Sequence, residues 1–221
     1  MQLSSPTKPP ATPSARLGRV MTRIIAGIAG SRQLAAPASP TRPTSDRIRE
    51  SIFNRLENWD ALEGARVVDL YAGTGALALE AISRGAASAV LVEKDAKAAA
   101  VCAKNIGFIE GALQSAKVKA SMRVQQKSVD AYLSTAGSVE FDLVFIDPPY
   151  DIENRDITEN LGKVAPLLAM DAIVVLERSS RTPRAELPAD LVLEDEKSYG
   201  DTVVYWIGRA ADQTANDEAE G

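Results

Sequence analysis

The chain has 221 residues, enough for one ordinary domain core, and its 45% hydrophobic and 25% charged residues are ordinary values for a soluble globular protein. Its one cysteine, Cys102, rules out a disulfide framework and a thiolate-built zinc site, and the absence of histidine removes every Ser/His/Asp or Cys/His triad, every His metal site and every His general base. The net charge of −5 is uneven: residues 1–58 carry nine Lys/Arg against three Asp/Glu, while residues 59–221 carry sixteen against twenty-seven, which suggests a localised contact with a polyanion.

Residues 1–20 hold four prolines and almost no apolar periodicity, so a disordered tail is expected, with translation starting at Met21 or the tail dispensable. The segment has no apolar core of the secretory kind, and no stretch approaches the roughly 20 apolar residues of a membrane span. Residues 21–28 form a β-like run, Gly30-Ser31 offers a turn, and Arg32-Gln33-Leu34 can return as a second strand. After prolines 37, 40 and 43, Thr44, Ser45 and Asp46 supply helix-start chemistry for an amphipathic helix over 45–58 that carries Arg47, Arg49 and Arg55. From Gly64 onward, buried strands alternate with helices. Strands are expected at 66–71, 88–93, 117–124, 141–146 and 172–177. Helices are expected at 76–83, from Asp95 to about Gly107, near 129–134 and near 154–168. Strands at 191–195 and 202–207 have no room between them for a crossover helix and must be antiparallel. Such alternation gives a mostly parallel sheet with helices on both faces. The last eleven residues hold four acids and no base, and read as a disordered acidic tail.

Two motifs fall at strand ends. Asp69-Leu70-Tyr71-Ala72-Gly73-Thr74-Gly75 follows the first buried strand and opens a helix, where doubly wound sheets bind nucleotide-like ligands. The glycines let the backbone approach a ligand. Asp69 would repel a pyrophosphate and welcome a cation, which argues against a dinucleotide. Glu93 ends the second strand 18 residues after Gly75, where an acid accepts hydrogen bonds from ribose hydroxyls. Read singly, Asp69 could cap a helix and Glu93 could be a solvated strand end. Their combination favours a nucleoside ligand.

The second motif, Asp147-Pro148-Pro149-Tyr150, follows the apolar strand 141–146. Its prolines fix the backbone and remove two N–H donors, leaving a rim of acceptors and an aromatic plate. That suits an exocyclic amine on a planar ring. The Asp147 carboxylate and the Pro148 carbonyl can take its two N–H bonds while Tyr150 stacks on the ring. Pulling the hydrogens out of plane localises the nitrogen lone pair toward an electrophile, with no need of histidine or metal.

Together, Asp69-x-Tyr71-x-Gly73-x-Gly75, Glu93 and Asp147-Pro148-Pro149-Tyr150 resemble the class I S-adenosylmethionine-dependent methyltransferases that act on amino nitrogens. Arg23-Ile24-Ile25-Ala26-Gly27 and Arg42-Pro43-Thr44-x-Asp46-Arg47-x-Arg49-Glu50-Ser51 narrow the resemblance to bacterial small-subunit rRNA guanine-N2 methyltransferases of the RsmD type, from Met21 to about Gly208. The resemblance implies a Rossmann-like α/β fold: a seven-stranded sheet with a reversed final hairpin, helices on both faces, and an N-terminal β-hairpin plus helix.

It further implies that Asp69, Gly73 and Gly75 cradle the methionine part of S-adenosylmethionine, that Glu93 holds the ribose, and that Tyr71 is also among the cofactor-binding residues. Ser128, in Ser128-Val129-Asp130, falls at the adenine position. The acceptor implied is an unpaired guanine of 16S rRNA in the small ribosomal subunit or an assembly intermediate. Arg23, Arg42, Arg47 and Arg49 would be the RNA grip. The expected organisation is a tail over 1–20, a basic RNA-contacting segment over 21–60, the methyltransferase domain over 61–209 and an acidic tail over 210–221. A cytoplasmic monomer is expected, with no metal and no membrane association.

Other readings weigh less. A DNA adenine or cytosine amino-methyltransferase carries a sizeable target-recognition region, for which no segment is left. A protein glutamine methyltransferase reads Asn-Pro-Pro-Tyr and has a separate helical domain. A non-catalytic RNA-binding protein would not need both motifs intact, and a dehydrogenase is disfavoured by Asp69. On an Ala-rich helix, Cys102 reads as a small core residue.

Overall fold

A computed structural model describes residues 22–36, 45–137 and 139–211. The elements in chain order are α1 (Asp46–Asn58), β1 (Arg66–Asp69), α2 (Ala76–Ser83), β2 (Ser88–Val92), α3 (Ala96–Ala116), β3 (Ser121–Gln125) and α4 (Val129–Leu133). They continue with β4 (Phe141–Ile146), α5 (Asn154–Val164), β5 (Leu168–Ser179), β6 (Leu191–Tyr199) and β7 (Thr202–Arg209). The strands form one seven-stranded sheet in the order β3-β2-β1-β4-β5-β7-β6. All pairs are parallel except those made by β7, which runs antiparallel to both β5 and β6. This is the sheet expected from the sequence. Among the described residues no helix is long and apolar enough to cross a membrane.

Successive residues of the central strands point to opposite faces, which is why their sequences are apolar throughout. Val67, Leu91, Leu143, Phe145 and Trp206 face one core, with Ile52, Phe53 and Leu56 of α1 and Leu79 and Ile82 of α2. Val68, Val90, Val144, Ile146 and Val174 face the other, with Val129 and Leu133 of α4 and Ile157 and Leu161 of α5. The N-terminal segment and α1 therefore share the sheet's own core.

Several boundaries differ from the sequence reading. The expected hairpin at residues 21–34 is reduced to a single antiparallel bridge, Arg23↔Gln33. Ile24 N donates to Arg32 O at 2.9 Å and Leu34 N to Thr22 O at 2.8 Å across the same turn, and α2 satisfies other backbone groups of the segment. Buried Glu80 accepts from the N–H groups of Ile25 (2.6 Å) and Ala26 (3.0 Å) and from Arg84 Nε (2.7 Å). The Ser83 hydroxyl donates to Ala26 O at 2.6 Å and accepts from Ala29 N at 2.9 Å. Gly27 turns with φ +78°, and a Cβ there would lie 1.9 Å from the Ser83 carbonyl oxygen, so only glycine fits. At the head of α1, Ser45 accepts from Ile48 N at 3.3 Å, as a capping serine should.

Helix α3 runs through Gly107 and Gly111 to Ala116, because a glycine costs only about 1 kcal/mol inside a helix whose other face is buried. Lys117, left-handed at φ 58°, ends it. Consequently β3 begins at Ser121 rather than 117. Helix α5 stops at Val164, and a 3-10 turn over Ala165–Leu167, with Pro166, leads directly into a β5 longer than the expected strand. Strands β6 and β7 are also longer than expected and meet at the tight turn Gly200-Asp201, with Gly200 at φ 62°. The expected tail over 1–20 lies outside the described residues, as does nearly all of the acidic tail.

Candidate active site

A cleft of about 1610 Å³ opens at the C-terminal ends of the parallel strands. Strand order reverses between β1 and β4, where Asp69 is the register partner of Phe145. In open α/β sheets that switch point is where ligands bind. Both motifs line the cleft, with Glu93, the start of α3, residues 45 and 47–49 around the head of α1, and the β6–β7 turn.

Asp69 ends β1 and is only 1% exposed. Its Oδ2 accepts a long bond of 3.4 Å from Ala78 N, and its Oδ1 is buried with no hydrogen-bond partner among the described residues. Burial pushes its carboxyl up to about 7; the bond from Ala78 opposes this, and the neighbouring Asp147 and Glu93 add to it. The base of the cleft thus holds a buried carboxyl that meets backbone N–H groups and other acids.

The loop after Asp69 turns through Gly73 (φ +54°) and Gly75 (φ +81°). A Cβ on Gly75 would lie 2.6 Å from Leu91 Cδ2 and would also be strained by the left-handed backbone. Glu93 shapes the loop from β2. Its Oε2 accepts from Gly73 N at 3.0 Å and its Oε1 from Asp95 N at 2.8 Å. Asp95 in turn caps α3, accepting from Lys97 N (3.0 Å) and Ala98 N (2.9 Å). Tyr71 is half-buried in the cleft wall; its hydroxyl accepts from Asn160 Nδ2 at 2.9 Å, and burial pushes that hydroxyl above its ordinary pKa.

Asp147 follows Ile146 of β4, whose register partner on β5 is Leu176, so Glu177 stands just beyond the paired stretch of β4 and β5; both acids line the cleft. Pro148 is buried and Tyr150 is 63% exposed, an aromatic face open to solvent beside the acceptor rim. Sequence reasoning missed the residue that fixes the turn beyond it. Buried Arg178 of β5 donates to Ile152 O (2.8 Å) and Asn154 Oδ1 (3.1 Å), while Ile152 N donates to Pro149 O at 3.2 Å. An arginine two residues beyond the apolar run 173–176 was the available signal. Cys102 and Asn105 were also missed as loop supports. Cys102 Sγ donates to Gly73 O at 3.1 Å, and burial pushes its thiol far above the ordinary range.

The other expected residues divide. Ser128 is exposed and caps α4, accepting from Ala131 N at 3.2 Å, and it is Val129 that lines the cleft. Arg47 is exposed at the cleft edge. Arg23 is largely exposed, 3.5 Å from Asp46. Arg42 lies outside the described residues. Arg49 requires a correction. It is 1% exposed, and its guanidinium donates to the Arg23 carbonyl and, at 3.0 Å, to Asp46. It offers almost no surface to a phosphate and ties α1 to the N-terminal segment.

Residues 22–208 match the family described as Conserved hypothetical protein 95. The Ribosomal RNA small subunit methyltransferase D of Escherichia coli K12 is 34% identical over 184 residues, covering 83% of this chain and 87% of the relative. The protein of the same name from Haemophilus influenzae is 31% identical over 190 residues, covering 86% and 93%. The solved structure of the Escherichia coli protein yhhF superimposes with a TM-score of 0.73 at 30% identity, covering 87% of this chain and 99% of that one. On the length of the family match and the identity of these relatives, the chain belongs to the Conserved hypothetical protein 95 family, the RsmD family of ribosomal RNA small-subunit methyltransferases.

Proposed function

We propose that this chain, as a cytoplasmic monomer, transfers a methyl group from S-adenosylmethionine to the exocyclic N2 amine of a guanine in the 16S rRNA of the small ribosomal subunit. The observation that carries the reading is the meeting of the two motifs: Asp69 and Asp147 leave adjacent parallel strands into one cleft.

The cleft fits the cofactor on two counts. Asp69 Oδ1 is a buried acceptor without a partner among the described residues, suited to a cationic or N–H group. At Gly73 a Cβ would meet nothing nearer than 4.0 Å, so the absent side chain leaves open room beside the loop. Asp69, Gly73 and Gly75 would hold the methionine part. Glu93 would hold the ribose hydroxyls, since each of its oxygens keeps a lone pair beyond the backbone bond it accepts. Bound there, S-adenosylmethionine supplies a methyl group on a positively charged sulfur.

Asp147 and the Pro148 carbonyl would take the two N–H bonds of the guanine amine, and Tyr150 would stack on the base. Drawn out of conjugation, the nitrogen lone pair would be free to take the methyl group as it leaves the cofactor sulfur. The amine's extra proton then leaves to Asp147 or to water. Asp147 gains most as the nitrogen becomes positive, so its contribution is concentrated in the transition state.

The test offers tritiated S-adenosylmethionine with small-subunit particles, free 16S rRNA or duplex DNA. Label in rRNA that nuclease digestion recovers as N2-methylguanosine supports the reading. Label in DNA, or on another base atom, overturns it.

A further inference from the structure

Asn105 sits on the inner face of α3 in a stripe otherwise made of Cys102, Ile106 and Ile109, and it is 0% exposed. A side-chain amide is costly to bury unless its polar atoms are satisfied, and here they are satisfied by two segments that are distant in sequence. Oδ1 accepts from Ala35 N at 2.8 Å, and Nδ2 donates back to Ala35 O at 3.1 Å, the two-way pairing of a β-bridge made by a side chain. Nδ2 also donates to the carbonyl of Thr74, the middle residue of the glycine loop, at 2.8 Å. One turn earlier, Cys102 bonds the carbonyl of Gly73. Helix α3 therefore holds two successive loop carbonyls, and Asn105 ties one of them to the N-terminal segment. The residue after Ala35, Ala36, lines the same cleft as Gly73, Glu93 and Arg47.

We infer that Asn105 is a positioning residue that couples the N-terminal segment to the cofactor loop, so that rRNA and S-adenosylmethionine each tighten the binding of the other. The inference rests on the proposed function and goes beyond it. Seating the N-terminal segment completes the amide's bonds, and the completed amide fixes the Thr74 carbonyl. Order gained at one end lowers the cost of order at the other. Linkage requires the effect to be reciprocal. No other standard side chain of this size reproduces the pairing. Aspartate cannot donate to the two carbonyls, leucine can neither donate nor accept, and glutamine is one methylene too long for the packed stripe.

The experiment measures S-adenosylhomocysteine affinity by equilibrium dialysis, alone and with saturating unmethylated small-subunit particles, for the wild type, Asn105→Ala and Ala35→Pro. The proline variant removes the N–H that Oδ1 accepts and leaves α3 and the loop untouched, so it serves if the alanine variant fails to fold. Particles should tighten wild-type binding about five-fold or more. In either folded variant that ratio should fall to within about two-fold of unity while S-adenosylhomocysteine still binds. A merely structural residue would shift melting temperature and leave the ratio intact. A wild-type ratio of one, or an unchanged ratio in the variants, overturns the coupling and leaves the proposed function standing. If the wild type fails to bind either S-adenosylhomocysteine or particles, the proposed function falls and the coupling falls with it.

Discussion

The carboxylate of Glu93 accepts a hydrogen bond from the backbone N–H of Gly73 at 3.0 Å, so the acid that ends one strand sets the shape of the loop that ends its neighbour. Removing it should act twice, freeing the loop and deleting the bonds proposed to the ribose. Glu93→Ala should weaken S-adenosylhomocysteine by about 1.5–3 kcal/mol, one to two decades in affinity, with the fold retained. Glu93→Gln should recover only part of this, because one backbone N–H would then face an amide N–H2. Calorimetric titration decides it, and unchanged affinity in both variants would remove Glu93 from the site.

Asp69 gives the site a pH dependence of definite sign. Its pKa is raised from 3.8 to about 7 in the folded chain, so between those values the folded state binds more protons than the unfolded one. Stability therefore falls as pH rises through that window and levels off above about 7. Asp69→Asn should flatten the fall and be the more stable protein above neutrality. A cationic ligand stabilises the ionised form, so binding of S-adenosylmethionine near neutral pH should release a proton from the wild type and none from Asp69→Asn. Calorimetry in two buffers of different ionisation enthalpy measures that release. Identical proton counts for the two proteins would contradict the assignment.

Arg47 and Arg49 lie two residues apart and should behave in opposite ways. Arg49→Ala deletes a buried guanidinium and leaves the Arg23 carbonyl without it, a loss of about 1–3 kcal/mol. At this chain length that lowers the melting temperature by roughly 2–4 °C per kcal/mol. Arg47→Ala should leave melting unchanged, raise the KM for rRNA particles and reduce the slope of log affinity against log salt by about 1. A stable Arg49→Ala, or an Arg47→Ala indistinguishable from wild type on RNA, would reverse these roles.

Asp147→Ala should abolish methyl transfer while cofactor affinity stays within a few-fold. Asp147→Asn keeps an acceptor but loses the charge, and charge-assisted hydrogen bonds are about twice as strong as neutral ones. Its loss should fall on kcat rather than KM. Single-turnover rates on one particle preparation compare the three proteins, and full activity in Asp147→Ala would leave Tyr150 stacking and proximity as the main contributors.

The sheet was legible because its strands are buried on both faces, so Val67-Val68 and Leu143-Val144-Phe145-Ile146 are unbroken apolar runs that end on acids. The same runs place the two motifs, and hence most of the candidate site. What was not legible depends on partners distant in sequence. Residues 22–34 do pair back on themselves, with Ile24 N donating to Arg32 O and Leu34 N to Thr22 O, but the groups that seat the turn, Glu80 and Ser83 of α2, are distant in sequence. Arg49 carries the same charge as Arg47, and only the packing of α1 against the Arg23 carbonyl separates them. Gly107 reads as a helix stop because propensity is local, while the buried stripe Cys102, Ile106, Ile109 and Leu113 carries α3 past it. Asn105 within that stripe was a visible anomaly, a polar side chain at a core position, but its partners Ala35 and Thr74 emerge only in the fold.

The seat of Gly27 on α2 limits how the N-terminal segment could be exchanged. A chimera that grafted the N-terminal segment of a relative onto this sheet would have to bring a residue without a Cβ to position 27, since any other side chain would start 1.9 Å from the Ser83 carbonyl. It would also have to present two backbone N–H groups to Glu80, or leave a buried carboxylate short of donors. The same helix begins at the cofactor loop. The N-terminal segment and the first half of the sheet should therefore be inherited together, and a swap that succeeds should carry its own α2 with it.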